Sequence, residues 1–545
     1  MRIALGQFNT CVGDLAGNIE KMRAIYTQAL EAGVDLLVCP ELAVCGYPPE
    51  DLLYKKHFLE DNLAALEKLA ADCTEIPVIV GYAEMHKQSY YNSAAVLQAG
   101  RISTVYRKAL LPNFGVFDEQ RYFTAGTKPV VINPGGFNIA LTICRDIWDI
   151  DWLAGFLADA GPVQMIVNIS ASPYHTGKIE LRHQILTQCA KRLNCAVAYC
   201  NLVGGQDELV FDGRSCFVDP AGHIIATARA FEEDLLVIDI AQEAGSIKLT
   251  SAEPARPQPS NLLDEVYRAL VLGTKDYARK NGFAKVLIGL SGGIDSTVVA
   301  CIAAAALGGE NVTGITMPSK FNSPETIADV EKLAQNLGIG LLTIPIGPVL
   351  ERFSGSLAAA PGWDEGGIAY ENLQARIRGT ILMSLSNQFG SLVLTTGNKS
   401  ETAVGYATLY GDTAGGFAVI KDVPKTLVYE LAEHINKINN KETIPNSVLQ
   451  RPPSAELRQD QKDTDSLPDY DLLDAILKGY VEEDMSSRQL AESGLPEDIV
   501  HRIVSMVDRN EYKRRQSPPG VKITPKAFGK DRRLPITNRY RPFGK

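Results

Sequence analysis

Hydrophobic and polar residues follow two different periods along the first 245 residues of the chain. Short apolar runs, typical of buried strands, alternate with stretches whose apolar positions lie three and four residues apart, as in helices. The predicted strands are 35–39, 78–83, 93–97, 102–106, 137–143 and 165–169. The predicted helices are 19–32 and 62–71. This alternation predicts a layered α/β domain over residues 1–245.

The pattern stops between residues 246 and 261, where three prolines occur without a clear period. Such a stretch is typical of a linker between domains. The predicted strands beyond it are 286–288, 312–317, 341–344 and 391–396, and the predicted helices are 262–281, 297–307, 324–337 and 370–386. Residues 262–545 are therefore predicted to form a doubly wound parallel sheet, which should bind ligands at the carboxyl ends of its strands.

Composition narrows the class of protein. The 545 residues carry a net charge of -10, which argues against indiscriminate polyanion binding over the whole surface. No apolar run reaches the ~18 residues of a membrane span, and the first residues do not resemble a signal peptide. Ten irregularly spaced cysteines, without a Cys-x-x-Cys pair, predict a cytoplasmic protein with reduced thiols. The seven histidines are scattered and predict neither a metal cluster nor a Ser-His-Asp arrangement.

A glycine-containing loop follows the predicted strand 286–288 and precedes the predicted helix 297–307. It reads Gly289, Leu290, Ser291, Gly292, Gly293, Ile294, Asp295 and Ser296. Adjacent glycines let the backbone approach a phosphate, and a helix start offers unpaired N–H groups to the anion. A plain glycine turn is the alternative for a shorter motif. The full octet resembles the pyrophosphate loop of ATP pyrophosphatases, which adenylate a substrate and release pyrophosphate.

Three chemically distinct residues each follow a predicted strand of the first domain: Glu41, Lys108 and Cys144. A thiolate can attack an amide, a carboxylate can accept the thiol proton, and an ammonium group can stabilise the oxyanion. Each residue alone has a structural explanation, as a helix-start glutamate, a surface lysine or a core cysteine. Together they predict amide hydrolysis.

The sequence around these residues resembles the nitrilase, or carbon–nitrogen hydrolase, superfamily. The matching segments are Cys-Pro-Glu-Leu at 39–42, Tyr-Arg-Lys-x-x-Leu-Pro at 106–112 and the run 137–148. The resemblance implies a four-layer α-β-β-α sandwich in which Glu41 is the base, Lys108 the oxyanion stabiliser and Cys144 the nucleophile. Glu119 matches a second glutamate of such sites.

The same resemblance extends to a glutamine-binding set. Phe114, Ser172 and Lys178 match positions that bind glutamine in glutaminase members of the superfamily. It implies that Lys178 pairs with the α-carboxylate of glutamine and that Ser172 hydrogen-bonds its head group. Phe114 departs from the tyrosine that is common at its position.

Residues 262–545 resemble the NAD synthetase family through the phosphate loop, Thr-Gly-Asn-x-Ser-Glu at 396–401, Tyr-Gly-Asp at 410–412 and Pro-Ser-Ala-Glu-Leu at 453–457. The resemblance implies that residues 289–296 bind ATP together with Thr396, Lys425 and Ser454. It implies Mg²⁺ ligands Asp295 and Glu401, and deamido-NAD contacts from Asn372, Glu401 and Lys513. Ammonia-using synthetases have a lysine before Tyr-Gly-Asp, where this chain has Leu409.

Two polar segments of the second domain leave alternatives open. The acidic, proline-marked segment 453–470 is a candidate lid over the ligand site. From residue 511 to residue 545, eleven Lys and Arg residues face two acids. This region is either a solvated basic tail, a nucleic-acid-binding element, or an ordered segment folded over phosphates.

Over its whole length the chain resembles two-domain, glutamine-dependent members of the NAD synthetase family. The resemblance implies that glutamine hydrolysis supplies ammonia, by a covered route, to ATP-adenylated deamido-NAD, giving NAD, AMP and pyrophosphate. The expected partners are small-molecule substrates and further copies of the chain, with no nucleic acid and no membrane. The alternatives are a tRNA-modifying ATP pyrophosphatase and a regulatory protein with an inactive amidase domain.

Overall fold

The computed structural model describes residues 1–243, 246–251, 254–454, 456–458 and 461–540. The chain divides into two compact units, Met1–Ser260 and Asn261–Lys545. Among the described residues, no helix is long and apolar enough to cross a membrane.

The first unit is built from two mixed sheets. Its strands are β1 Arg2–Gln7, β2 Leu36–Val38, β3 Val78–His86, β4 Ser89–Gln98, β5 Arg101–Arg107, β6 Val131–Ile132, β7 Ile139–Ile143, β8 Met165–Ser170, β9 Ala196–Asn201, β10 Val203–Gln206, β11 Leu209–Asp212, β12 Cys216–Val218, β13 Ile224–Thr227, β14 Asp234–Glu243 and β15 Ser246–Thr250. One sheet has the order β15-β14-β1-β2-β3-β4-β5 and the other β13-β12-β9-β8-β7-β6, while β10 and β11 form a separate hairpin. The helices are α1 Leu15–Glu31, α2 Lys56–Asp72, α3 Ile150–Leu157 and α4 Lys178–Leu193.

The two sheets pack face to face, and helices cover their outer faces. Alternate residues of β1 and β7, such as Leu5 and Leu141, share the core between the sheets. The neighbouring residues point outward, where Leu37 packs with α1 and α2. Ile166 packs in the same way with α3 and α4. Because the facing sides of the two sheets share one core and helices pack on their outer sides, the predicted α-β-β-α sandwich is confirmed.

The second unit contains a five-stranded parallel sheet of order β18-β17-β16-β19-β20. Its strands are β16 Val286–Gly289, β17 Val312–Thr316, β18 Gly340–Thr343, β19 Leu392–Thr395 and β20 Phe417–Ala418. The chain adds strands first on one side of β16 and then on the other. The sheet therefore has a topological switch point between β16 and β19, where open α/β sheets bind ligands. The predicted doubly wound sheet is confirmed.

Helices surround this sheet, and further helices follow its last strand in the chain. They are α5 Leu262–Lys280, α6 Ile294–Leu307, α7 Pro324–Leu337, α8 Gly347–Leu357, α9 Ile368–Phe389, α10 Lys399–Val404, α11 Lys425–Ile438, α12 Asn446–Gln450, α13 Tyr470–Leu477, α14 Ser487–Glu492, α15 Glu497–Arg509 and α16 Glu511–Arg514.

The boundary between the units lies later than the start of the predicted linker at residue 246. Strand β15 pairs antiparallel with β14, which places residues 246–250 in the first sheet. Arg256 then bonds Asp234 at 2.8 Å, and Gln258 donates to the Ala228 carbonyl at 2.9 Å. Residues 252 and 253 of the predicted linker lie outside the described residues. Ile247 and Leu249 alternate with polar residues, as in an edge strand, and this pattern could have predicted β15 from the sequence.

The basic C-terminal region is folded onto the second unit. The backbone N–H groups of Ile523 and Thr524 donate to Asp422 Oδ2 at 2.9 and 2.7 Å. Lys522 pairs with Asp531, so that part of the positive charge is neutralised internally. Residues 522–531 are therefore packed against the rest of the unit, which favours the ordered alternative over a solvated tail. Folding of this region over phosphates stays a prediction, and residues 541–545 lie outside the described residues.

Candidate active sites

Cys144 begins a short 3₁₀ turn directly after β7. Its backbone has a φ of +43°, in the left-handed region that non-glycine residues seldom adopt. The parallel neighbour β8 runs in register with β7, so the segment after β8 reaches the same edge of the sheet. This sharp strand-to-turn change places the thiol, which is 5% exposed, at the carboxyl end of the sheet.

Glu41 and Lys108 meet in a fully buried cluster with a second glutamate. Lys108 Nζ lies 2.7 Å from Glu41 Oε1 and 2.8 Å from Glu119 Oε1. Glu41 Oε1 also accepts from Asn92 Nδ2 at 2.8 Å, and its Oε2 accepts from the Ala171 N–H at 2.7 Å. These bonds come from three separate elements and hold the carboxylate in one orientation.

Burial and charge set the protonation states of this cluster. Burial alone lowers the pKa of Lys108, but the charges of Glu119 and Glu41 raise it above its usual value, so the amine stays an ammonium. Burial raises the pKa of Glu119 to about 7, although Lys108 opposes the rise. Glu119 Oε2 is buried and has no hydrogen-bond partner within the described residues.

The Cys144 thiol is protonated at neutral pH. Burial raises its pKa to about 12, and the negative charge of Glu41 adds to the rise, while Lys108 opposes it. Attack by sulfur therefore requires a group that accepts the thiol proton during the reaction. Glu41 is the fixed carboxylate whose charge acts most strongly on this thiol.

The three predicted glutamine contacts differ in their surroundings. Ser172 is buried two residues after β8, and its N–H donates to Asn201 Oδ1 at 2.9 Å. Lys178 is the first residue of α4, with Nζ 4.6 Å from the centre of the Trp148 ring, and its charge lowers the pKa of the Cys144 thiol. The Phe114 side chain is 55% exposed. Ser172 and Lys178 thus lie near the buried cluster, whereas the ring centre of the exposed Phe114 lies 5.3 Å from Cζ of Arg145, the residue after Cys144.

Asn92 and Tyr47 belong to this site and were not predicted from the sequence. Tyr47 OH donates to Glu119 Oε1 at 3.2 Å, next to the lysine that shares the same oxygen. Asn92 lies within β4, after two half-buried tyrosines, and is itself fully buried. A buried amide in a strand is the signal that could have identified it, because buried polar groups need partners.

The second unit contains a cavity of about 440 Å³ at the carboxyl ends of its strands. It brings together almost all residues predicted to bind ATP, deamido-NAD or Mg²⁺. Those lining it are Gly289, Leu290, Ser291, Gly293, Ile294, Asp295, Ser296, Asn372, Thr396, Glu401, Lys425, Ser454 and Lys513. The remaining one, Gly292, has a φ of +82°, and an added Cβ would lie 2.4 Å from Thr326 Cγ2. Glycine at 292 therefore allows the tight loop before α6.

A buried lysine joins two carboxylates in the wall of this cavity. Lys425 Nζ contacts Asp295 Oδ2 and lies 3.3 Å from Glu401 Oε1. Asn398 connects both acids, since its Nδ2 donates to Asp295 Oδ1 at 2.9 Å and its Oδ1 accepts from the Glu401 N–H at 2.9 Å. Burial raises the pKa of Glu401 to about 8 against the opposing charge of Lys425.

The residues at this wall fit a magnesium ion. Mg²⁺ prefers oxygen ligands and commonly binds one or two carboxylates together with substrate phosphates. Asp295 and Glu401 supply two carboxylates within reach of one ammonium group, beside the phosphate-type loop. In the described part of the chain, no group of three or more His, Cys, Asp or Glu could hold a metal by itself. The two carboxylates therefore fit a Mg²⁺ ion that is also coordinated by the oxygens of a phosphate ligand.

The predicted deamido-NAD contacts line the same cavity. Asn372 lies in the second turn of α9, which begins at Ile368, and its Oδ1 accepts from Thr408 Oγ1 at 2.7 Å. Lys513 Nζ donates to the Gly405 carbonyl at 2.8 Å. Leu409 does not line the cavity, and its carbonyl accepts from Arg376 Nε at 3.2 Å.

The candidate lid and the residues just before it contact the rest of the unit. Arg451, two residues before the lid, donates from Nη1 to the Gly292 carbonyl at 2.9 Å, directly on the phosphate-type loop. Glu456 accepts from Asn322 Nδ2 at 2.6 Å and from Thr326 Oγ1 at 3.0 Å. Residues 455, 459 and 460 of the segment lie outside the described residues. Opening and closing of this segment stays a prediction.

Lys399 lies between Asn398 and Glu401 in sequence but does not face the cavity. Its Nζ lies 2.6 Å from Glu482 Oε1, 3.0 Å from Asp422 Oδ1 and 2.6 Å from Thr524 Oγ1. The side chain is 1% exposed. Lys399 therefore connects α10 to the C-terminal segment.

Replacing Lys399 by methionine should lower the free energy of unfolding by about 3–5 kcal/mol, because Asp422 and Glu482 would lose their buried counter-charge. Denaturant unfolding followed by circular dichroism measures this change. Lys526→Met is the matched control, since its ion pair with Asp484 is solvent-exposed and should contribute at most about 1 kcal/mol. Equal effects of the two substitutions would contradict the structural role of Lys399.

Two family matches cover most of the chain. Residues 2–248 match the carbon–nitrogen hydrolase family, and residues 266–517 match the NAD synthase family. The first match contains the Glu41–Lys108–Cys144 site, and the second contains most of the cavity. Each family thus corresponds to one of the two compact units.

Full-length relatives share this combination. The glutamine-dependent NAD(+) synthetase of Thermotoga maritima is 46% identical over 99% of this chain and 99% of its own length. That of Aquifex aeolicus is 44% identical over 99% of this chain and 100% of its own. The glutamine-dependent NAD+ synthetase of Acinetobacter baumannii in complex with ADP is 39% identical, with a TM-score of 0.78 and 98% of each chain covered. A synthetase from Cytophaga hutchinsonii, 23% identical with 99% of this chain and 98% of its own covered, shares the fold with a TM-score of 0.84.

Proposed function

Because the chain belongs to the family of glutamine-dependent NAD(+) synthetases, we propose that its two sites carry the two halves of one reaction. The Cys144 site hydrolyses glutamine to glutamate and ammonia. The cavity of the second unit binds ATP and deamido-NAD and forms NAD from them and ammonia. The observation that carries this proposal is the pairing of a buried Glu41–Lys108–Cys144 site with a phosphate-type loop in one chain.

In the first half, Cys144 attacks the side-chain amide carbon of glutamine. Glu41 takes the thiol proton, as the raised pKa of the Cys144 thiol requires. Lys108, held as an ammonium between two glutamates, stabilises the oxyanion. Glu41 gives the thiol proton to the amide nitrogen, which leaves as ammonia, and water then releases glutamate from the thioester. Ser172, Lys178 and Phe114 bind the substrate.

In the second half, a carboxylate oxygen of deamido-NAD attacks the α-phosphorus of ATP, and pyrophosphate leaves. Ammonia then attacks the acyl carbon, and AMP departs with the former carboxylate oxygen. Residues 289–296, Thr396, Lys425 and Ser454 bind the nucleotide, while Asn372, Glu401 and Lys513 contact deamido-NAD. Asp295 and Glu401 would hold Mg²⁺, which would neutralise negative charge on the leaving pyrophosphate.

The proposal is tested with purified full-length protein, deamido-NAD, ATP and Mg²⁺, with either glutamine or ammonium as the nitrogen source. We expect NAD and AMP in equal amounts from both sources. Failure to form AMP with either source would exclude the proposed function. Pyrophosphate release that depends on tRNA would instead support the tRNA-modifying alternative.

Two further proposals concern the state of the protein in the cell. We propose a cytoplasmic location, which the nine buried cysteines that form no disulfide among the described residues support. The homo-oligomer expected from the family stays a prediction, and light scattering of the purified protein measures it.

Replacing Glu41 by glutamine should lower the glutamine-driven rate by about 10²–10⁴-fold, because the amide cannot accept the thiol proton. The ammonium-driven rate should not change. Both rates are measured as NAD formed at saturating ATP. Glu67→Gln, the same change on the exposed face of α2, is the control and should leave both rates unchanged. A glutamine-driven rate close to wild type in Glu41→Gln would exclude Glu41 as the base.

A further inference from the structure

Asp146 lies two residues after Cys144, is fully buried and takes no part in the reaction proposed above. Its carboxylate accepts four hydrogen bonds. Burial raises its pKa, and the N–H groups of Leu110 and Ile143 oppose the rise. Four donors around one buried carboxylate are a specific arrangement, because the oxygens of an ionised carboxylate can only accept hydrogen bonds.

The two oxygens of this carboxylate bond two separate parts of the site. Oδ2 accepts from the Ile143 N–H at 2.9 Å, which closes the turn that carries Cys144. Oδ1 accepts from the Ala109 N–H at 3.2 Å and the Leu110 N–H at 2.7 Å, in the segment directly after Lys108. The nucleophile and the oxyanion-binding lysine are thus connected through one side chain.

The backbone at Cys144 explains why such a connection is needed. A φ of +43° is unfavourable for cysteine, so the surrounding contacts must hold the turn in place. Tyr106 OH donates to Asp146 Oδ2 at 2.7 Å from β5, the strand that leads to Lys108. Rate depends steeply on the position of the reacting groups, and an error of about 1 Å can cost about 10²-fold.

We propose that Asp146 is a positioning residue that sets the placement of the Cys144 thiol relative to the Lys108 ammonium group. The inference rests on the proposed roles of Cys144 and Lys108 in glutamine hydrolysis. An asparagine would keep the shape of Asp146, but its NH₂ group cannot accept hydrogen bonds. One of the two connections would therefore be lost.

The test is Asp146→Asn in the full-length protein, with NAD formation measured from glutamine and from ammonium. We expect the glutamine-driven kcat to fall by about 10²-fold, with the KM for glutamine and the ammonium-driven rate unchanged. Asp149→Asn is the control, because Asp149 only caps α3 through the Trp152 N–H and is exposed. A wild-type kcat in Asp146→Asn would overturn the proposal, as would a rise in KM without a fall in kcat.

A second variant tests the proposal in case Asp146→Asn does not fold. Tyr106→Phe removes one donor and leaves the three backbone donors, so we expect a smaller fall in kcat with KM unchanged. An unchanged kcat in Tyr106→Phe, with Asp146→Asn unfolded, would also overturn the proposal.

Cys144→Ala distinguishes failure of the positioning role of Asp146 from failure of the proposed function. If it retains the glutamine-driven rate, the proposed function fails, whereas an inactive Cys144→Ala beside an unimpaired Asp146→Asn excludes only the positioning role.

Discussion

Replacing Cys144 by alanine should abolish NAD formation from glutamine and leave NAD formation from ammonium at the wild-type rate. The covalent route through a thioester has no substitute once the sulfur is removed, so the loss should be at least about 10⁴-fold. Cys144 is packed in the first unit, and the ATP-type cavity is lined by residues of the second. The chemistry at that cavity should therefore survive when free ammonia is supplied.

The control for this substitution is Cys11→Ala, which removes a half-buried cysteine that is distinct from the proposed nucleophile. Both nitrogen sources should support wild-type rates in that variant. Equal loss of both reactions in Cys144→Ala would contradict the division of labour between the two sites. Persistence of the glutamine-driven reaction would show that another group acts as the nucleophile.

Replacing Asp295 by asparagine should impair NAD formation from both nitrogen sources. The substitution removes the carboxylate that contacts Lys425 and accepts from Asn398 at 2.9 Å, and it removes one of the two proposed Mg²⁺ ligands. Loss of one such electrostatic contact typically lowers a rate by about 10²–10³-fold. AMP formation from deamido-NAD, ATP and ammonium measures the effect without involving Cys144.

Asp471→Asn serves as the matched control, since Asp471 is exposed in the first turn of α13. It should leave AMP formation unchanged. Asp295→Asn with a wild-type rate of AMP formation would exclude the proposed role of this carboxylate. Loss of only the glutamine-driven reaction would contradict the proposed role of Asp295 in the ATP-dependent half of the mechanism.

The two sites share an electrostatic arrangement, a buried lysine between two carboxylates. Lys108 lies between Glu41 and Glu119, and Lys425 lies between Asp295 and Glu401. In each case burial raises the pKa of one carboxyl, to about 7 for Glu119 and about 8 for Glu401; the shared lysine opposes the rise, and the neighbouring carboxylate adds to it.

The sequence by itself determined the features that depend on neighbouring residues. The octet 289–296 predicted a strand, a phosphate-type loop and a helix, because the glycines and the flanking apolar runs are adjacent in the chain. In the structure β16 ends at Gly289 and α6 begins at Ile294, so the order of elements is as predicted but the last three residues of the octet belong to the helix. Glu41, Lys108 and Cys144 were placed after strands for the same reason, since a strand and its end are local features.

Only the tertiary structure decided which side chains meet. Glu41 and Lys108 are 67 residues apart, and Asp295 and Lys425 are 130 apart, so no local pattern could pair them. Lys399 shares a motif with Glu401 yet bonds Glu482 and Thr524, because successive residues of a helix point in different directions. The basic C-terminal region likewise has the composition of a tail. It is ordered because buried acids such as Asp422 lie where its backbone N–H groups need partners.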